Sequence, residues 1–425
     1  MGKYSRPRGT HDVYAGAEKW EDDSVRWNVV ESLWREICRI YGYQEIRTPI
    51  FEQTELFKRS IGDGTDIVSK EMYTFDTPGG DSITLRPEGT AGTLRGYLDS
   101  GLYARGGVTK LYYIGQNFRY ERPQSGRYRQ HQQLGVEALG ADDPALDAEV
   151  IQLMLSFFRK IGVSRTVVKI NSVGSSESRA IYLTALKEFV RPFLEEFSEE
   201  GKARFANNPL RMLDTKSPRE LEILTDAPSL TDYITDDERV HLETVCGYLT
   251  AAGHTYEIDP HLVRGFDYYT KTAFEVQSPD LDAQNALGGG GRYNKLVEQL
   301  GGPPTAGIGF GIGMERVMIA LQRLGAELPL PTGPTAFVVT LGDAARQAGV
   351  NLLSQLRDSG IAANIEYGGR SMKAQMRAAN DSGAKYALIL GDDEVASGTV
   401  QLKNLADSTQ VAVGLDKVVG MLRGV

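Results

Sequence analysis

Cysteine is scarce. Only Cys38 and Cys246 occur in 425 residues, too few for a disulfide framework, and both lie in stretches patterned as amphipathic helix (REICRI, ETVCGYL). A reducing, cytoplasmic setting is the expectation. Long apolar runs are missing too: none approaches the ~18 residues that span a bilayer, so no membrane is expected among the partners. The amino-terminal MGKYSRPRGT has no apolar stretch behind its basic residues, unlike a secretory signal. Arg6 also stands where a myristoylation pattern needs Ser or Thr. Histidine is rare and unpatterned. His11, His131, His241, His254 and His261 show neither HxxxH nor CxxC spacing, so no metal-ligating set is expected. A basic surplus is absent as well. The net charge of −9 argues against a non-specific nucleic-acid coat and no DNA partner is expected, although local basic sites stay open.

What is present fits a soluble chain long enough for two or more domains, with 41% hydrophobic and 24% charged residues. Residues 18 to about 42 carry apolar residues at helical spacing and stop at Gly42. EIRTPIFEQ reads as a strand interrupted by Pro49, suited to an edge or an interface. DSITLRPEGTAGTLRGYL predicts a strand, a turn at Pro87 and a helix from about Thr90. KLYYIGQNFRYER and RQHQQLGVEALG predict two antiparallel strands joined by a polar loop. From about 175 to 255 the chain turns helix-rich and charged, in the manner of an insertion. The Pro-rich LGAELPLPTGP then separates a carboxy-terminal stretch that alternates strand and helix signals, a small α/β domain with its own core.

Three stretches draw attention. FRYERPQSGRYRQHQQLG packs Arg119, Arg122, Arg127 and Arg129 around the single carboxylate Glu121. Planar, permanently charged guanidiniums suit polyphosphate oxygens, yet a solvated charged loop would read the same way. GIGFGIGMERV (307–317) alternates glycine along a strand, clearing one face as a floor for a planar base or simply for tight packing. GGGGRYNKLVEQLGG (288–302) is equally open, and neither stretch is a dinucleotide or P-loop fingerprint.

Together these stretches resemble the class II aminoacyl-tRNA synthetases, and within that class the histidyl-tRNA synthetase family. IRTPIFEQTELFKRSIG, FRYERPQSGRYRQ and GFGIGMERV resemble the three class motifs. LVRGFDYYT (262–270) and GGGRYNKLVEQLGG resemble the family's two histidine signature peptides, and LRPEGTAG (85–92) and NPLRMLDTKS (208–217) also match. The resemblance covers essentially the whole chain. It departs at His131 and Gln132, at Phe266, and at Asn294 and Lys295.

The resemblance implies an α/β (α+β) fold: an antiparallel sheet flanked by helices over residues 1–325, with a helical insertion at about 172–255. A linker at 326–333 and an anticodon-binding domain at 334–425 would follow, and the first class motif implies a homodimer. It implies ATP-dependent activation of L-histidine and transfer to tRNA(His), with ATP as substrate and Mg²⁺ on its phosphates. Arg119 and Arg264 would act on the α-phosphate, Arg127 and Arg316 on the γ-phosphate, with Glu121 beside them. Glu88, Gly89, Thr90 and Gln133 would receive the α-ammonium of histidine. Glu137 and Tyr269 would read its imidazole, with Tyr268 closing the site; on their own, the two tyrosines could equally be strand packing. For tRNA the candidates are Gln124 and Arg129 in the loop, and Arg370, Lys373 and Arg377 on one helix of the tail. Charges in the tail balance, nine basic against nine acidic from residue 335 on. A rival from another class remains: similar chains serve as non-catalytic, histidine-sensing regulatory subunits of histidine biosynthesis. Such a module would need neither Arg264 nor the tail.

Overall fold

The fold was analysed in a computed structural model, which describes residues 4–62, 65, 67–263, 266–281 and 286–423; the Asp214 side chain lies outside that description. The chain divides into two compact units, Met1–Pro329 and Leu330–Val425.

The first helix shows how local chemistry sets the boundaries. The apolar pattern from residue 18 breaks at Asp23, whose extended backbone and side chain, accepting from the Val25 N–H, cap Ser24–Ile40. The expected helix therefore starts later than its apolar pattern. It ends where Gly42 takes φ +79° and the Tyr43 N–H bonds back to the Cys38 carbonyl at 2.8 Å.

Among the described residues, eleven strands of the first unit follow in chain order: β1 (Gln44–Glu45), β2 (Phe51–Gln53), β3 (Tyr73–Asp76), β4 (Ser82–Leu85), β5 (Thr109–Phe118), β6 (Gln130–Leu139), β7 (Val167–Ser172), β8 (Tyr256–Ile258), β9 (Thr270–Gln277), β10 (Ala286–Arg292) and β11 (Gly307–Gly313). Eight form one sheet in the order β1-β5-β6-β11-β10-β9-β7-β8, and β2-β4-β3 form a small second one. Among the described residues of the large sheet, only the outermost pairs, β1 with β5 and β7 with β8, are parallel. The interrupted strand around Pro49 thus becomes two short strands in different sheets.

Side-chain alternation divides the faces of the large sheet. Leu134, Val136 and Ala138 of β6 and Ile308, Phe310 and Ile312 of β11 turn to a core closed by helices Ser24–Ile40, Pro144–Lys160, Asp236–Ala251 and Met314–Leu324. Cys38 and Cys246 are buried on two of these helices. The opposite face carries Tyr268, Tyr269 and Tyr293 and packs on helix Thr90–Asp99 and the segment 176–230, rich in helix as expected. That second face, left polar by Gln133 and Glu137, is where a site can form.

The second unit holds a five-stranded sheet whose two faces bury separate apolar clusters against its helices. Its helix Met372–Asp381 carries Lys373 and Arg377, but Arg370 is not on it. The cause of this difference from the expected single helix is local. Ser371 is extended (ψ 154°) and begins the helix, while Arg370 lies before it, with its N–H donating to Glu366 at 3.3 Å and its guanidinium 3.3 Å from the same carboxylate. No helix among the described residues is long and apolar enough to cross a membrane.

Candidate active site

Strands β5 and β6 pair antiparallel from Thr109–Leu139 to Phe118–Gln130, so the loop between them projects the arginine knot beyond the sheet. Beneath it lies a cavity of about 480 Å³ on the second face. This is within the range that accepts small-molecule substrates.

One side of the cavity is acidic and deeply buried. Glu88 follows β4 and is 2% exposed. Its carboxylate accepts from the backbone N–H groups of Thr90 (2.5 Å) and Ala91 (2.8 Å) at the start of helix Thr90–Asp99. Burial nevertheless pushes its pKa up. Gly89 is fixed by space, because a Cβ there would stand 2.3 Å from the Tyr113 ring. Thr90 donates its hydroxyl to Glu137 at 2.7 Å, and the Tyr293 hydroxyl donates to the other Glu137 oxygen. Glu137 is 1% exposed, and burial carries its carboxyl up to about 8 despite both donors, with Glu88 nearby adding to the shift. Gln133 accepts from Asn117 (2.8 Å) and Tyr113 (3.2 Å) through one amide oxygen, which leaves its NH₂ group as the donor end.

The other side is cationic. Arg119 is aimed by a bond from its Nε to the Pro87 carbonyl at 2.8 Å and lies over the Phe266 ring at 5.7 Å. Arg119 and Arg127 each stand 3.8 Å from Glu121, and Arg316 reaches the Gly126 carbonyl at 3.4 Å. Burial first, and then the neighbouring Arg127, lower the Arg316 pKa, while Glu121 and Glu275 act against the shift. His131, where the chain departs from the family pattern, lines the same cavity. Burial, with Arg119 and Arg316 close by, drives it down to about 3, so it is neutral at physiological pH and adds no charge.

The expected residues are therefore brought together, with differences. Glu88, Thr90, Gln133, Tyr268, Tyr269, Arg119, Glu121, Arg127 and Arg316 line one cavity. Glu137 sits behind its wall, bonded to Thr90 and Tyr293. Arg264 lies outside the described residues. Gln124 forms the turn with Arg127, and Arg129 stacks over Tyr120 at 3.7 Å; neither lines the cavity. The glycine floor of β11 also differs from a bare surface. A Cβ on Gly309 would stand 2.0 Å from the Glu137 carboxylate, and one on Gly311 2.1 Å from the Gln133 amide. Those glycines make room for cross-strand side chains; the floor is furnished. Tyr293 is the residue that sequence reasoning missed. GGGGRYNK marks the segment as part of a signature peptide, but its tyrosine stands out only once its N–H pairs with the Gly307 carbonyl and sets the ring across β11.

Deep carboxylates, a knot of guanidiniums and a mainly antiparallel sheet are what a class II synthetase needs in order to seat an amino acid against a nucleotide. Comparison with known proteins narrows this further. The histidyl-tRNA synthetase family matches residues 21–317, and the anticodon-binding domain family matches residues 335–424. Histidine–tRNA ligases of Halothermothrix orenii and Pelotomaculum thermopropionicum are both 48% identical, over 97% and 99% of this chain and 97% of each relative. The crystal structure of the apo histidyl-tRNA synthetase of S. aureus, 38% identical, aligns with a TM-score of 0.83 over 99% of this chain and 100% of that one. The chain belongs to the histidyl-tRNA synthetase family and is an aminoacyl-tRNA ligase. Its full-length kinship is with ligases, which sets aside the regulatory-subunit alternative.

Proposed function

We propose that the cavity of the first unit activates histidine with ATP and that its two sides divide the substrates. One observation supports this above the rest: buried carboxylates lie on one side and a convergence of guanidiniums on the other. A molecule with an ammonium and a ring N–H completes the first, and a triphosphate completes the second. Glu88, Thr90 and Gln133, with Gly89 giving clearance, receive the α-ammonium. Glu137 and Tyr269 take the imidazole, and Tyr268 closes over it. In the ionised form, which a bound imidazole N–H favours, each Glu137 oxygen keeps a second lone pair beyond the hydroxyl it already binds, so the ring can be read without breaking either bond.

The histidine carboxylate attacks the α-phosphorus. The bond to the oxygen bridging the β-phosphate breaks, pyrophosphate leaves with the electron pair, and histidyl-adenylate remains. The terminal ribose hydroxyl of tRNA(His) then attacks the acyl carbon; the bond from that carbon to the phosphate oxygen breaks, and AMP leaves with the electron pair and takes up the hydroxyl proton. Arg119 and Arg264 hold the α-phosphate, and Arg127 and Arg316 hold the γ-phosphate end. Because Arg119 is already anchored on the Pro87 carbonyl, charge that develops at phosphorus meets a donor that need not reorganise. Mg²⁺ fits this chemistry. Glu121 and Glu275 both line the cavity, and Mg²⁺ usually takes one or two carboxylates alongside substrate phosphates, neutralising their charge. Gln124 and Arg129 in the loop serve tRNA, as do Arg370, Lys373 and Arg377 in the second unit. A cytoplasmic homodimer with no DNA partner completes the reading, and exposed Ile50 and Phe51 in the first class motif suit burial against a second copy. ATP–pyrophosphate exchange tests the proposal: exchange is expected only when histidine is present. Exchange that proceeds without histidine, or no exchange in a protein that binds both substrates, would take the activation step away from this cavity.

A further inference from the structure

A second cavity, of about 420 Å³, lies beside the first and has no part in histidine activation as described. Its walls come from the NPLRMLDTKS peptide, from the start of helix Glu199–Asn207 and from the arginine loop. Arg127 and Arg211 line both cavities, so the two adjoin along a cationic edge. Arg204 and Lys216 complete a set of four cations. Each lining carboxylate is already engaged, Glu200 by one of those four cations. Glu200 pairs with Arg204 at 2.5 Å. Glu220, 3% exposed, accepts from the Ser198 N–H (2.9 Å), the Ser198 hydroxyl (2.7 Å) and the Thr215 hydroxyl.

These bonds also make the cavity a built one. Glu220 holds Ser198, whose oxygen accepts from the Gly201 N–H at 3.1 Å and caps the helix, while the Thr215 bond fixes the peptide carrying Lys216. Asn208, at the head of the same peptide, donates to Asp267 beside Tyr268 at 3.0 Å, tying it to the activation cavity.

We propose that this second cavity is a polyphosphate site that receives pyrophosphate as it leaves the activation cavity. The inference rests on the reading that Arg127 holds the γ-phosphate end of ATP. Once the bond at the α-phosphorus breaks, the product is already on Arg127. The next cations are Arg211, then Arg204 and Lys216. A run of guanidiniums keeps the polyanion neutralised while drawing it away from the adenylate that it would otherwise attack in reverse.

Calorimetry on the intact protein provides the test. The activation cavity is first saturated with α,β-methylene ATP in magnesium buffer, and pyrophosphate is then titrated in. A further binding event is expected. Lys216→Ala and Arg204→Ala should each weaken it about tenfold or more, the loss of one charge-assisted contact, with the analogue's own affinity unchanged. Lys216→Arg should retain it. Lys216 is exposed, so that variant should fold, and a thermal melt checks Arg204→Ala. The proposal is overturned if the wild type shows no second event or if both alanine variants bind pyrophosphate as before. If those variants instead raise only the KM for tRNA, the phosphates that bind there belong to the acceptor end, and the pyrophosphate assignment is wrong. Failure of the analogue to bind would sink the ATP reading instead, and pyrophosphate can then be titrated into the empty protein.

Discussion

Glu137 keeps a carboxyl group away from water with two hydroxyl donors, from Thr90 and Tyr293, and that has a cost that pH reveals. Its ordinary pKa is 4.5 and in the fold it is about 8. Between those values the folded state binds the extra proton, so stability falls as pH rises, by at most ~1.4 kcal/mol per pH unit. Glu88, also raised by burial, acts in the same direction. Thermal melts of the unliganded protein should therefore decline from about pH 5 to about pH 8, and Glu137→Gln should flatten that decline. An unchanged slope in the variant would place the titration on another group. The candidacy of Glu137 was legible from its family-like position. Its partnership with Tyr293 was not, because a hydroxyl reaching across β11 leaves no mark on either segment. His131 shows the reverse: a histidine where the pattern differs suggests a new charge, yet burial between arginines keeps it neutral.

Strand β11 and the peptide ending β10 show what the glycine-rich elements do. Gly309→Ala would drive a methyl group to 2.0 Å from the Glu137 carboxylate and 2.4 Å from the Val136 carbonyl, and backbone cannot swing aside. The variant should lose about 1–3 kcal/mol, the usual cost of overpacking, and its histidine KM should rise. Denaturant melts and exchange kinetics measure both, and wild-type values would mean that the strand yields. Arg292, fully buried, binds Asp147 through its Nε at 2.9 Å, while the same carboxylate accepts from Thr272 (2.6 Å) and lies 2.8 Å from His241. This cluster ties β9 and β10 to helices Pro144–Lys160 and Asp236–Ala251. Arg292→Leu should cost about 3–5 kcal/mol by stranding a buried carboxylate. Stability within 1 kcal/mol of wild type would show that His241 and Thr272 can compensate. The hairpin of β5 and β6 was legible because apolar alternation and a polar loop act locally. The Asp147–Arg292–His241 cluster joins positions 147, 241 and 292, which only folding brings together.

At the scale of the whole molecule, the two units carry separate cores, so the work can be divided between them. Deleting residues 334–425 should cut tRNA charging far more than adenylate formation, and full-rate charging by the truncated, folded protein would deny the second unit a role in tRNA recognition. Binding of tRNA should weaken with salt despite the net charge of −9, because local basic patches still release counterions. Strand order was beyond sequence reading. That β11 lies between β6 and β10 follows from long-range pairing, and it is this pairing that sets Gly309 opposite Glu137. The most direct test of the central claim, that carboxylates serve histidine and guanidiniums serve the phosphates, is exchange kinetics on Glu137→Gln beside Arg119→Ala. Glu137→Gln should raise the histidine KM about ten- to a hundredfold with the ATP KM unmoved, while Arg119→Ala should lower kcat about 10²–10³-fold. Equal changes in both KM values for Glu137→Gln, or an undiminished kcat for Arg119→Ala, would contradict it.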